Sequence, residues 1–90
     1  MGAAPASAVS KPQACDRTWI NPIPKKATTS VNLRKKSTTS STSLGLLTRG
    51  TKFTEYCVDV KGTYWWGWGK VTSGPNAGTY GWVYRQYLRT

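Results

Sequence analysis

Lys52-Phe53-Thr54-Glu55-Tyr56-Cys57-Val58-Asp59-Val60, then Lys61-Gly62-Thr63, then Tyr64-Trp65-Trp66-Gly67-Trp68-Gly69-Lys70-Val71 is the stretch whose reading decides the fold. Both long segments are rich in β-branched and aromatic residues, which suit a pleated and half-buried surface, and the glycine-containing triplet between them turns the chain. Toward the N-terminus, Leu44-Gly45-Leu46-Leu47-Thr48 is a shorter apolar segment stopped by Arg49-Gly50. Before it, Val31-Asn32-Leu33-Arg34 alternates apolar and polar residues as a half-buried strand does, and Ser37 to Ser43 is an unbroken Ser/Thr loop. Toward the C-terminus, Ser73-Gly74-Pro75-Asn76 marks a turn, Thr79 to Tyr84 reads as a fifth strand, and a short closing segment reaches Leu88. Five short strands with turns at this spacing predict an all-β domain, a small five-stranded barrel over residues 31–90 whose closure removes exposed edges.

The 90 residues hold one domain at most, and a domain of roughly 60 residues buries only about 60% of its unfolded surface, so the core is thin. No apolar run approaches the roughly 20 residues of a membrane span. Thirteen basic residues against three acids give a net charge of +10, which favours polyanions: nucleic acid, anionic wall polymers or acidic lipid headgroups. A monomer is expected.

Residues 1–30 differ in texture. Four of the five prolines lie there, and Asn21-Pro22-Ile23-Pro24 is expected to be extended. Ala3 to Ala8 is small and weakly apolar, and Ala6-Ser7-Ala8 has the form cut by signal peptidase, so the extension reads as carrying the remnant of an export signal. Cys15 and Cys57 are the only cysteines, and an even number in a short chain suggests a disulfide. It would close a loop of about 40 residues, contribute on the order of 4 kcal/mol, and require an oxidising compartment. Two separate buried thiols are the alternative. With Trp19, Ile20 and Ile23, Cys15 suggests that the extension docks on the domain. A metal site is not expected, because the chain has no His and no third Cys.

The order of elements resembles the bacterial SH3 domains (SH3b). Val31-Asn32-Leu33-Arg34 is similar to the opening strand of that family, Leu44 to Leu47 with Gly50-Thr51 to its Leu-Gly-x-Leu strand and Gly-Thr turn. Trp68-Gly69-Lys70-Val71 is similar to its Trp-containing strand, and Gly81-Trp82-Val83 with Tyr87-Leu88 to its close. Eukaryotic SH3 domains look similar at the same end, through Trp65-Trp66 and Gly81 to Leu88. Tyr84 nevertheless stands where their pattern has proline, and their two-tyrosine opening motif has no counterpart near Val31, which argues against recognition of proline-rich peptides. Either Trp65 or Trp68 fits the family tryptophan. By the family pattern Phe53 belongs to the core, whereas Tyr56, Val58 and Val60 have the opposite parity, a conflict that a β-bulge resolves. An outward Cys57, beside Glu55 and Asp59, would reach an extension lying on the surface.

Catalysis is not expected. The chain has no histidine to act as general base, and Cys57 has no His partner. The one plausible carboxylate pair, Glu55 and Asp59, would stand about 13 Å apart by strand rise, too far for glycosidase chemistry. No phosphate-binding glycine loop is present, and no cofactor is expected.

Binding remains, and the aromatic residues are its candidates. Tyr64, Trp65, Trp66 and Trp68 cannot all be buried, because successive strand residues face opposite sides. Trp82 and Phe53 are expected to be structural. The resemblance implies a groove between the first long loop and the tyrosine of the closing turn, with Trp65, Tyr84 and Tyr87 lining it and Asn32 and Arg34 flanking it. Rings there could clasp a peptide backbone or a sugar face, while Arg34, Lys35 and Lys36 offer donors to carboxylate or phosphate. The expectation is a secreted or surface-associated, non-catalytic module that recognises bacterial cell-wall components, either peptidoglycan peptide or an anionic wall polymer. Two other classes remain open: a basic single-stranded nucleic-acid binder, and a secreted inhibitor or effector that docks a protein partner.

Overall fold

The computed structural model describes residues 11–90, so the export-signal reading of Ala3 to Ala8 lies outside the described residues. Seven strands follow one another: β1 Arg17–Ala27, β2 Val31–Arg34, β3 Ser43–Leu47, β4 Lys52–Lys61, β5 Tyr64–Val71, β6 Tyr80–Tyr84 and β7 Leu88–Arg89. A single 3-10 turn, Arg85–Tyr87, separates β6 from β7. All ladders are antiparallel, in the spatial order β3-β2-β6-β5-β4-β1-β7. No helix among the described residues is long and apolar enough to cross a membrane.

The all-β architecture is as expected, but the described residues hold seven strands where five were expected. β7 is the closing segment, and β1 lies in the proline-rich extension. Proline cannot donate to a ladder and is tolerated where a strand has only one partner. β1 meets β7 only at Lys26 and Ala27, and Pro22 falls in the break of its ladder with β4 between Thr18 and Ile23.

Ala27, Val31, Leu33, Leu47, Phe53, Val71, Val83 and Leu88 form the main core, on the inner face of the sheet. Leu47 of β3 and Leu88 of β7 belong to this one cluster, so the sheet curls until its two end strands share a core. β4 serves it through a bulge: the β4–β5 register shifts between Glu55 and Cys57. Phe53 thereby stays inward and Cys57 turns outward, which resolves the parity conflict in the sequence.

Cys57, Trp66, Trp68 and Trp82 form a second buried cluster on the outer face, with Tyr56, Tyr80, Tyr84 and Cys15 packed against it. Registers explain the grouping. Cys57 faces Trp68 across the β4–β5 ladder, Trp68 faces Trp82, and Trp66 faces Tyr84, and side chains of facing residues lie on the same side.

The extension is fastened at three points. Cys15 and Cys57 are disulfide-bonded, with Cα atoms 5.6 Å apart. Asp16 accepts from the Val60 N–H at 2.6 Å and donates its own N–H to the Val58 carbonyl at 2.7 Å. The Trp19 indole N–H donates to Glu55 Oε1 at 3.0 Å. Ile20 does not join the docked set. It is 97% exposed.

Glu55 differs from its expected position beside Cys57 and Asp59 on the outer face. It lies before the bulge and keeps the parity of Phe53, so it points inward, where it is fully buried and paired with Arg85, whose Nε lies 3.2 Å from Oε2. A Cβ at Gly67 would collide with this carboxylate, so glycine there leaves it room. Burial of a charge requires pairing and hydrogen bonds, and Trp19 with Arg85 supplies both.

Candidate functional site

Tyr64, Trp66 and Lys61, on the β4–β5 hairpin, and Tyr84, at the end of β6, line a groove of about 470 Å³ whose other wall is Ser37, Thr38 and Thr39. The register puts these rings on one face, since Trp66 lies opposite Tyr84 and Lys61 opposite Tyr64. Tyr84 is the hub. Its ring centroid lies 5.5 Å from Trp66, 6.1 Å from Tyr64 and 5.5 Å from Tyr87, the last pair edge-on. Trp66 is buried beneath, whereas Tyr64 is 59% exposed and stands as a free ring at the rim.

The Ser/Thr loop is held as a wall by named contacts. The Ser37 hydroxyl donates to Asp59 Oδ2 at 2.5 Å, and Lys61 Nζ donates to the Ser37 carbonyl at 2.7 Å. Lys61 also lies 3.8 Å from the Asp59 carboxylate. Farther along, Arg34 Nη1 donates to the Ser41 carbonyl at 2.9 Å. The Ser37 hydroxyl is thus spent on Asp59, and Thr38 and Thr39 are left to offer hydroxyls to the groove from a braced backbone. Rings on one side, hydroxyls on the other and an ammonium at one end form a site that can stack on a flat group and donate to carbonyl or carboxylate oxygens.

The candidates from the sequence fall partly together: Trp65 and Tyr84 line a smaller depression of about 320 Å³ with Thr63, Arg85 and Gln86. Tyr84 lines the groove and Tyr87 adjoins it through Tyr84. Asn32 accepts from the Ser43 hydroxyl at 2.9 Å within the β2–β3 hairpin, and Arg34 braces the loop, so neither lines the groove. Trp65 lies on the opposite face of β5 from Trp66. Its ring centroid lies 5.5 Å from the guanidinium of Arg17 and 5.4 Å from that of Arg85. Arg85 in turn lies 6.0 Å from Trp19, so rings and cations of the extension and the barrel alternate as Trp19–Arg85–Trp65–Arg17. Trp68 is buried and stacked on Tyr80 at 5.4 Å. The tryptophan that lines the Tyr64–Tyr84 groove is Trp66, whereas Trp65 lines the neighbouring depression on the other side of Tyr84. Only the strand register distinguishes the two.

Burial pushes the Tyr56 phenol above its ordinary value, and the adjoining Tyr80, through charge and hydrogen bonding, adds to the rise. Lys25, almost fully buried on β1, moves down: burial is the main cause, Glu55 opposes it and Arg85 reinforces it.

A curled antiparallel sheet with an open aromatic groove beneath a braced loop defines a small β-type binding module. The bacterial SH3 domain model matches residues 29–89, and the chain belongs to that family. This agrees with the resemblance of Val31 to Leu88, and the match leaves nearly all of β1 outside it. Bacterial SH3 domains are binding modules, often of the cell wall. Neither the curated proteins nor the solved structures contain a match to the chain.

Proposed function

We propose that this chain is an exported, non-catalytic module that binds the bacterial cell wall, with wall peptide seated in the Tyr64–Trp66–Tyr84 groove. The observation that carries the reading is the groove itself. It sets an exposed ring, two supporting rings and the Lys61 ammonium against a hydroxyl-bearing wall. A peptide backbone can lie flat on the rings, and its carboxylates can meet Lys61 and the loop hydroxyls. Two features support export: the Cys15–Cys57 disulfide, which persists in oxidising surroundings, and membership in a family that often serves the wall. The non-catalytic reading is supported by the use of all three acids. Asp16, Glu55 and Asp59 each hold a structural hydrogen bond or ion pair.

Co-sedimentation with purified Gram-positive walls, before and after the anionic polymers are stripped, tests the proposal. Retention is expected on both preparations, and Tyr64→Ala, which removes an exposed ring, should weaken binding to stripped walls about tenfold or more. Absence of retention on stripped walls, or equal retention of the variant, would contradict the groove reading.

A further inference from the structure

β4 has two ends of different chemistry. At the Lys61 end lie the groove, Asp59 and Asp16. At the Lys52 end, Lys52 faces Lys26 of β1, and Lys26 faces Arg89 of β7. Facing residues share a side of the sheet about 5 Å apart, so three cations stand in a row across three adjacent strands. All three are exposed, and Arg49 lies beside them across a depression of about 370 Å³ that Lys26 and Arg89 also line. On the other side of Lys26, a second depression of about 380 Å³ includes Lys52 and the hydroxyl residues Thr54 and Thr72. Like charges placed opposite one another destabilise a sheet. No side-chain carboxylate relieves them, because all three acids of the chain are engaged elsewhere.

We infer that the row Lys52–Lys26–Arg89 is a second binding site, separate from the groove, for a linear phosphodiester polymer. The shape of the row favours a polymer. The row is open and solvated, so each phosphate contact is weak, and affinity has to come from several charges met in succession. The spacing across strands is near that of successive charges on a phosphodiester chain. A nucleic acid would further require rings beside the cations for its bases. The rings of Tyr56, Trp68 and Tyr80 are packed against one another, with Lys70, outside the row, 5.8 Å over Tyr80, and the most exposed ring, Tyr64, lies at the far end of β4. By strand rise the row and the groove are at most about 30 Å apart, so one wall can engage both and gain from effective concentration. The wall as source of the polymer rests on the proposed function; the phosphodiester chemistry does not.

Titration of the full chain with synthetic oligo(glycerol phosphate), with oligo-dT of equal charge and with anionic phospholipid vesicles tests the inference. Oligo(glycerol phosphate) should bind, with a logarithmic salt slope of about 2 for three contacts. The triple variant K26Q/K52Q/R89Q should lose at least tenfold in affinity and most of that slope, with an unchanged or higher melting temperature. Tyr64→Ala should bind the oligomer as the parent does. An unaltered triple variant would overturn the site, and tighter binding of oligo-dT or vesicles would overturn the polymer class. Groove failure shows separately, as loss of binding to stripped walls with oligomer binding intact.

Discussion

Tyr56 sits where the bulge of β4 brings it against two other rings, 5.9 Å from Trp68 and 6.1 Å from Tyr80. Burial there disfavours its phenolate, so its folded value stands above the unfolded 10.0. The stability this group contributes is fully present below pH 10.0 and is lost as pH rises through the folded value. Lys25 has the opposite sign. Its folded value lies below 10.5, the native state binds fewer protons than the unfolded chain in that window, and its contribution rises with pH there. An absorbance titration of the phenolates should show a step above 10.0 that Tyr56→Phe removes; an unchanged titration curve in that variant would contradict the packing of Tyr56. At this scale the sequence was only partly legible. The presence of an exposed ring among Tyr64, Trp65, Trp66 and Trp68 followed from strand alternation, but its position did not. A shift of one residue in register exchanges the faces, and the register depends on the bulge between Glu55 and Cys57. Glu55 misled for a related reason: the bulge falls after it, so it keeps the parity of Phe53 and points into the interior.

Among the elements, β2 to β6 could be read from alternation, β-forming composition and glycine turns. The bulge in β4 was legible as a conflict between Phe53 and the residues after Glu55. β1 was not, because its ladder is broken around Pro22, its start is held by the neighbouring disulfide and the Trp19–Glu55 hydrogen bond, and only Ala27 at its end joins the main core, so it shows no apolar stripe. The extension nevertheless acts as part of the sheet. The disulfide joins residues 42 apart, for which chain entropy gives about 4 kcal/mol. Replacing both cysteines by alanine should therefore lower unfolding free energy by about 2–4 kcal/mol in denaturant titration. A variant of parental stability would mean that the extension is held equally well by Asp16 and Trp19 alone.

Over the whole molecule, the charge of +10 is not an even coat. All three acids lie within hydrogen-bonded contacts, two of them, Asp16 and Asp59, at the groove end of β4, while Lys52, Lys26 and Arg89 form a row at the other. One strand thus separates a ring-lined groove from a polycationic surface. The central claim is that the groove takes wall peptide, and its most direct test is a proton–nitrogen correlation spectrum of the labelled chain titrated with soluble stem and cross-bridge muropeptides. Five tryptophan indole signals act as built-in reporters at known places. The Trp66 indole and the backbone signals of Tyr64, Tyr84 and Ser37 to Thr39 should shift with saturation, while the Trp19 indole, bonded to Glu55, stays in place. Shifts confined to Lys26, Lys52 and Arg89, or no shifts at all, would contradict it.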